Sequence, residues 1–283
     1  AADPVVFGKA FAEAAGADKN VGKLGGQVLY ETLGPTLPDG TPRAAHGSSA
    51  GQGPHTSGSR YLARVEGDGF GLDLRCDSAQ PPLLQGRQGL SRKGPDAAQA
   101  SYYYSQPQLA VSGAIVLNGR RMAIENSPTH NGTNRAWLDH EWSEALLHPD
   151  AVGWDWIGMN LLDGSALTAF RLRSRNGRAI WDGGSFRPRA GSPYVFSPGE
   201  VVFSPQRVWK SPTSQASYPV EWIVRTPADF YTVRAVIENQ ELDSRASTGA
   251  IYWEGLSELI DSNGRLAGRG YLEMTGYAQP LRL

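Results

Sequence analysis

Cysteine is almost missing from this chain: Cys76 stands alone among 283 residues. That excludes an intramolecular disulfide and leaves a cysteine-based metal centre without ligands. Cys76, in "LDLRC", reads as a small core residue. Lysine is also scarce, 5 residues against 22 arginines, and the net charge is −1. No basic footprint for nucleic acid or an anionic membrane results, and the arginine bias reads as composition rather than phosphate binding. No run of 18 apolar residues occurs, so no transmembrane helix is expected. There is no G-x-G-x-x-G, no Walker loop and no H-E-x-x-H. "GSSAG" (47–51) lies in a loop-like stretch and does not qualify as a serine-hydrolase elbow.

What is present is glycine and proline, 34 and 19 residues, against an ordinary apolar fraction of 40%. Many turns are implied. Residues 7–20, "FGKAFAEAAGADKN", predict one short N-terminal helix. Residues 34–59, rich in Gly, Pro, Ser and Thr, predict a long loop. From Tyr61 onward the signal is β. "YLARVEGDGFGLDLRC" reads as a hairpin about Gly67–Gly69, and Asn118-Gly119, Asp163-Gly164 and Asn176-Gly177 mark further turns between alternating runs. The fold class is all-β, with antiparallel barrel or sandwich halves. The polar stretch "ENSPTHNGTN" (125–134) suggests a boundary, giving domains 1–130 and 131–283, with 1–59 loop-rich and divergent. The opening "AADPVV" suits a mature N-terminus after signal cleavage, so a periplasmic or secreted location is expected.

The chemistry concentrates in "AWLDHEWS" (136–143). In a strand, alternate side chains share a face. Trp137, Asp139 and Glu141 then lie together, opposite Leu138, His140 and Trp142. Two carboxyl groups beneath an aromatic wall push one pKa up, giving a proton donor beside a base. Trp154 and Trp156 share a face with Asp155 turned away. Tyr252 pairs with Glu254, and Tyr271 with Glu273. Tyr102 and Tyr104 oppose Tyr103. Each of these also reads as core packing or a structural ion pair. His140 alone is more often structural than catalytic. His130 and His148 sit in apparent loops, so no metal site is expected.

These segments, "QPPLLQGRQGLSRKG", "ASYYYSQPQLAVSG", "RAWLDHEWS", "GWDWIGMNLLDG", "YWEG" and "GRGYLEMTGY", resemble the AttH/CrtC-like family. That family includes carotenoid 1,2-hydratases (hydroxyneurosporene synthases), kievitone hydratase-like proteins and bacterial proteins labelled predicted secreted hydrolases. The resemblance covers roughly residues 60–283 and lies nearest the last group. It implies two lipocalin-like β-barrel or sandwich halves. Residues 1–59 depart from the pattern, which leaves an incomplete N-terminal barrel open. The resemblance further implies a cofactor-independent hydratase (a lyase) that adds water to a C=C bond of a hydrophobic, isoprenoid or lipid-like substrate. Asp139 would donate the proton, and Glu141, or a water held by His140, would deliver hydroxide. Trp137, Trp142, Tyr102, Tyr104, Trp154, Trp156, Tyr252, Glu254 and Tyr271 would line the substrate site. The expected partner is a hydrophobic small molecule, not nucleic acid, with peripheral membrane contact left open. Two alternatives stand beside this: a non-catalytic lipocalin-like lipid carrier of the cell envelope, and a hydrolase or pericyclase acting on a hydrophobic substrate.

Overall fold

A computed structural model describes residues 25–32, 59–67, 69–78, 80–124, 134–145, 148–245 and 249–281. The helix expected at 7–20, nearly all of the loop at 34–59 and the boundary stretch 125–133 lie outside the described residues. All regular structure among the described residues is β, and every strand pairing is antiparallel. The described residues fall into two compact units. One takes residues up to 81 together with 108–138, and the other takes 82–107 together with 139–283.

In the first unit, β1 (Gly25–Thr32), β2 (Ser59–Gly67) and β3 (Phe70–Asp77) form a meander. Short strands β4 (Leu83–Leu84) and β5 (Leu90–Arg92) follow, and then the long β6 (Ala100–Leu117), whose second half pairs with β3. β7 (Arg120–Ile124) returns along β6 through Asn118-Gly119. Both turn residues have positive φ, 49° and 77°, which is the twist a two-residue hairpin requires and the reason for Asn-Gly there. Among the described residues, Tyr61, Val65, Cys76, Leu109, Val111, Ala114 and Leu138 are the buried apolar side chains of this unit. Cys76 is thus core, as its sequence context suggests; burial, then the neighbouring Asp77 charge, push its thiol up to about 11.

In the second unit, β4 and β5 pair with the first half of β6, and the end of β8 (Arg135–Ala145) runs beside them. A ten-stranded sheet follows. Its strands are β9 (Ala151–Leu161), β10 (Ala166–Ser174), β11 (Ala179–Arg187), β12 (Tyr194–Phe196) and β13 (Val202–Pro205), then β16 (Glu221–Arg225), β17 (Phe230–Ala235), β18 (Glu241–Ser244), β19 (Ala250–Ile260) and β20 (Leu266–Met274). A ribbon of β14 (Val208–Lys210) and β15 (Ser217–Pro219) interrupts it. The order is 12-11-10-9-20-19-17-16-13, with β18 beside β19.

Phe196 at one end of this order and Phe203 at the other belong to the same apolar core. The sheet therefore curls around one interior. Ile157, Met159, Leu167, Trp222, Val233, Trp253, Leu259, Leu272 and Met274 fill it with no exposed surface. The interior also holds one charged knot. Asp155 accepts from Arg171 Nε at 2.7 Å and from Tyr277 OH at 2.8 Å, and it pairs with Arg173 Nε at 2.9 Å. Its alternation with Trp154 and Trp156 matches the sequence expectation. The tryptophans take the outer face and the acid takes the inside.

Candidate active site

The outer face of the curled sheet carries the second set of polar groups, and strand register places them. Glu254 on β19 pairs with Glu273 on β20, which pairs with Trp156 on β9, which pairs with Phe170 on β10. Side chains directly opposite in an antiparallel pair sit about 5 Å apart, and like charges there repel. Both glutamates are raised above the ordinary carboxylate range. Burial, then the Asp139 charge, raise Glu254 to about 7. Burial, then the Glu254 charge, hold Glu273 well above the ordinary range, although a hydrogen bond from Trp154 works the other way. Burial and Glu254 likewise raise Tyr271, the diagonal neighbour.

Asp139 and Glu141 approach this face from β8, and alternation separates them from their neighbours as expected. Asp139 Oδ1 accepts from Tyr103 OH at 2.8 Å and from Ser105 Oγ at 2.5 Å. Glu141 pairs with the buried Lys93 at 2.7 Å and accepts from Ser101 Oγ. Ser101, Tyr103 and Ser105 alternate along β6, so one face of that strand meets one face of β8. Lys93 Nζ also lies 4.8 Å from the ring centre of Tyr103 and 4.5 Å from that of Phe170. Two hydroxyl donors on one carboxylate oxygen favour the ionised form. Asp139 thus receives donors suited to a carboxylate, while the neighbouring glutamates are raised. Among the described residues no three His, Cys, Asp or Glu side chains form a group able to hold a metal.

The structure divides the residues singled out from sequence. Asp139, Glu254, Tyr271, Trp154 and Trp156 gather about the acid cluster or on its sheet face. Tyr252 shares the Glu254 face of β19, paired in register with Leu242. His140, Trp142, Tyr102 and Tyr104 form a separate ladder on the opposite side of the β6–β8 ribbon. Tyr102 stacks on Trp142 at 5.5 Å, Trp142 lies 4.8 Å from His140, and His140 Nδ1 is 3.1 Å from Tyr104 OH. Strand alternation therefore keeps this ladder from forming one pocket wall with the acids. Trp137 falls in the first unit.

Sequence reading places Glu273 beside Tyr271 or in a structural ion pair and assigns it no catalytic or binding role. Lys93, Tyr103, Ser105 and Gln85 had none either, although "SYYYS" carries the parity that turns Ser101, Tyr103 and Ser105 to one side. A groove of about 150 Å³ opens beside Phe170, lined also by Gln85, Arg92, Trp181 and Gly183. The acids themselves do not line it.

Fold and site together define an all-β protein with a filled barrel-like unit and a carboxyl cluster on its outer sheet face. The chain belongs to the AttH-like family, whose model matches residues 44–277. It is similar to a solved protein of Nitrosomonas europaea described as an AttH candidate, at 46% identity and a TM-score of 0.71. It is also similar to kievitone hydratase from Nectria haematococca, at 17% identity and a TM-score of 0.59, a likeness of fold. Each match covers 77% of this chain and 65% of the other, so the chain spans less than two thirds of either relative. No curated protein matches the sequence.

Proposed function

We propose that this protein is a cofactor-independent acid–base enzyme, a hydratase adding water to a C=C bond of a hydrophobic substrate. The observation behind this reading is the opposed set of carboxyl environments: Asp139 receives two hydroxyl donors, while Glu254, which feels its charge, is raised to about 7. Carboxyl groups in environments that contrast in this way can serve as an acid and a base at one pH. The fold likeness to a hydratase agrees with the reading.

In the proposed step Glu254 protonates one alkene carbon, and the π electrons form the new C–H bond. The cation left on the other carbon is stabilised by the ring faces of Trp156, Phe170 or Tyr271. Water attacks it, and Asp139 takes the proton released by that water. The product is an alcohol, with Glu254 ionised and Asp139 protonated; return of the proton from Asp139 to Glu254 completes the cycle. The role of donor passes from Asp139, expected from sequence, to Glu254. Asp139 keeps a catalytic role as base.

The test is mass spectrometry after incubation with a panel of isoprenoid alkenes in oxygen-18 water. The native protein incorporates the label into an alcohol. Glu254→Gln and Asp139→Asn each lose about 10²–10⁴-fold in rate, with folding checked by circular dichroism. Undiminished turnover in Glu254→Gln would defeat the assignment.

A further inference from the structure

Behind Asp139 runs a buried chain of hydrogen bonds. Ser185 Oγ on β11 donates to Gln85 Oε1 at 2.9 Å. Gln85 Nε2 donates to Thr168 Oγ1 at 3.0 Å and to Ser105 Oγ at 2.9 Å. Ser105 Oγ in turn donates to Asp139 Oδ1 at 2.5 Å. Gln85 is 2% exposed, Thr168 1%, and Ser105 and Ser185 not at all, so solvent has little access to these bonds. Leu83 and Leu84 pair with Ser105 and Tyr104, which fixes the backbone that presents Gln85.

A hydroxyl has one proton to give. With Gln85 donating to Ser105, that proton goes to Asp139, which must then accept. If the amide turned over, its oxygen would face Ser105 and Thr168 and its nitrogen would face Ser185. Ser105 would give its proton to Gln85, and the 2.5 Å contact would hold only if Asp139 carried a proton and donated it. The anchors Thr168 and Ser185 are hydroxyls and serve either arrangement. The two directions of the chain therefore correspond to two protonation states of Asp139.

We propose that Gln85 is a positioning residue: the direction of its amide sets whether Ser105 gives a proton to Asp139 or receives one from it. The inference rests on the acid–base reading above and deepens it. When Asp139 takes the proton from water, the relay reverses and accommodates the protonated base. Around Asp139 the other groups include Tyr103 on β6, Glu141 on β8 with Lys93, Glu254 on β19 and Glu273 on β20. Tyr103 also meets Gln85 directly, its carbonyl accepting from the Gln85 backbone N–H at 3.0 Å, but the Gln85 side-chain amide takes no part in that bond.

The test is nuclear magnetic resonance on the whole chain, with carbon-13 labelled carboxyls and nitrogen-15 labelled glutamine amides. In the native protein the side-chain amide signals of Gln85 move with the same midpoint as the Asp139 carboxyl, and in Ser105→Ala they stay flat. Ser105→Ala raises the Asp139 midpoint by about one pH unit. Gln85→Glu, which when ionised can only accept, raises it further. The double variant falls short of the sum by about one pH unit, because both changes remove the same donated proton. Flat Gln85 signals in the native protein, equal movement with and without the Ser105 hydroxyl, or full additivity would overturn the relay. The native titration decides the matter even if Gln85→Glu does not fold. None of these readouts depends on turnover, so a failed relay and a failed hydratase assignment remain distinguishable.

Discussion

Glu254→Gln makes the carboxyl cluster measurable without a substrate. The folded protein holds Glu254 at about 7, against 4.5 for an unperturbed glutamate, through burial and the charge of Asp139. A folded-state pKa above the unfolded one means the native form binds more protons between those two values. Its contribution is fully present below pH 4.5, falls as pH rises through the interval, and is fully lost above about 7. The full interval corresponds to about 3 kcal/mol, and partial solvent access at Glu254 reduces this to about 2 kcal/mol.

Glutamine has the shape of the protonated acid and does not titrate. The stability difference, variant minus native, therefore rises by about 2 kcal/mol between pH 4.5 and pH 8. Relief of Glu273, whose elevation owes in second place to Glu254, acts in the same direction. Urea unfolding followed by tryptophan fluorescence at four pH values reads this as a change in the difference, so any constant offset from the substitution cancels. A difference that stays level across the series would mean that Glu254 is solvated and ordinary, and the acid assignment would fall with it.

Two further perturbations probe the frame that carries the site. Asp155→Asn removes the one carboxylate that Arg171 and Arg173 share in the core, leaving two guanidinium groups uncompensated, and is expected to cost about 3–5 kcal/mol by urea unfolding. Trp222→Ala empties a fully buried position in the same core, with an expected loss of about 3–5 kcal/mol and a matching fall in Tm by calorimetry.

Much of the scaffold was legible because β structure repeats every second residue. The turn at Asn118-Gly119, the alternation of Trp154 and Trp156 with Asp155 and the split of "LDHEW" into two faces all follow from local pattern, whereas which of those faces is the inner one does not. Pairing partners do not. That Glu273 lies across from Glu254 depends on the register of the β19–β20 hairpin, and that Lys93 neutralises Glu141 depends on a segment distant in the chain. Sequence reading paired Asp139 with Glu141 because they share a face of one strand. The structure gives each its own partner, Tyr103 and Ser105 for one and Lys93 for the other.

The placement of the acids on the outer sheet face has a physical reason. A curled sheet has two surfaces able to bury a carboxyl group. The inner one is already closed by Trp222, Trp253 and their neighbours, and Asp155 there is neutralised by two arginines. An acid there would be locked as an ion pair, with neither a proton to give nor room for a substrate. On the outer face Glu254 and Glu273 meet aromatic rings and the Asp139 charge, without an arginine among the groups that shift them. Burial without a counter-charge keeps a carboxyl protonated near neutral pH, and this condition is met at Glu254 and Glu273 but not at Asp155.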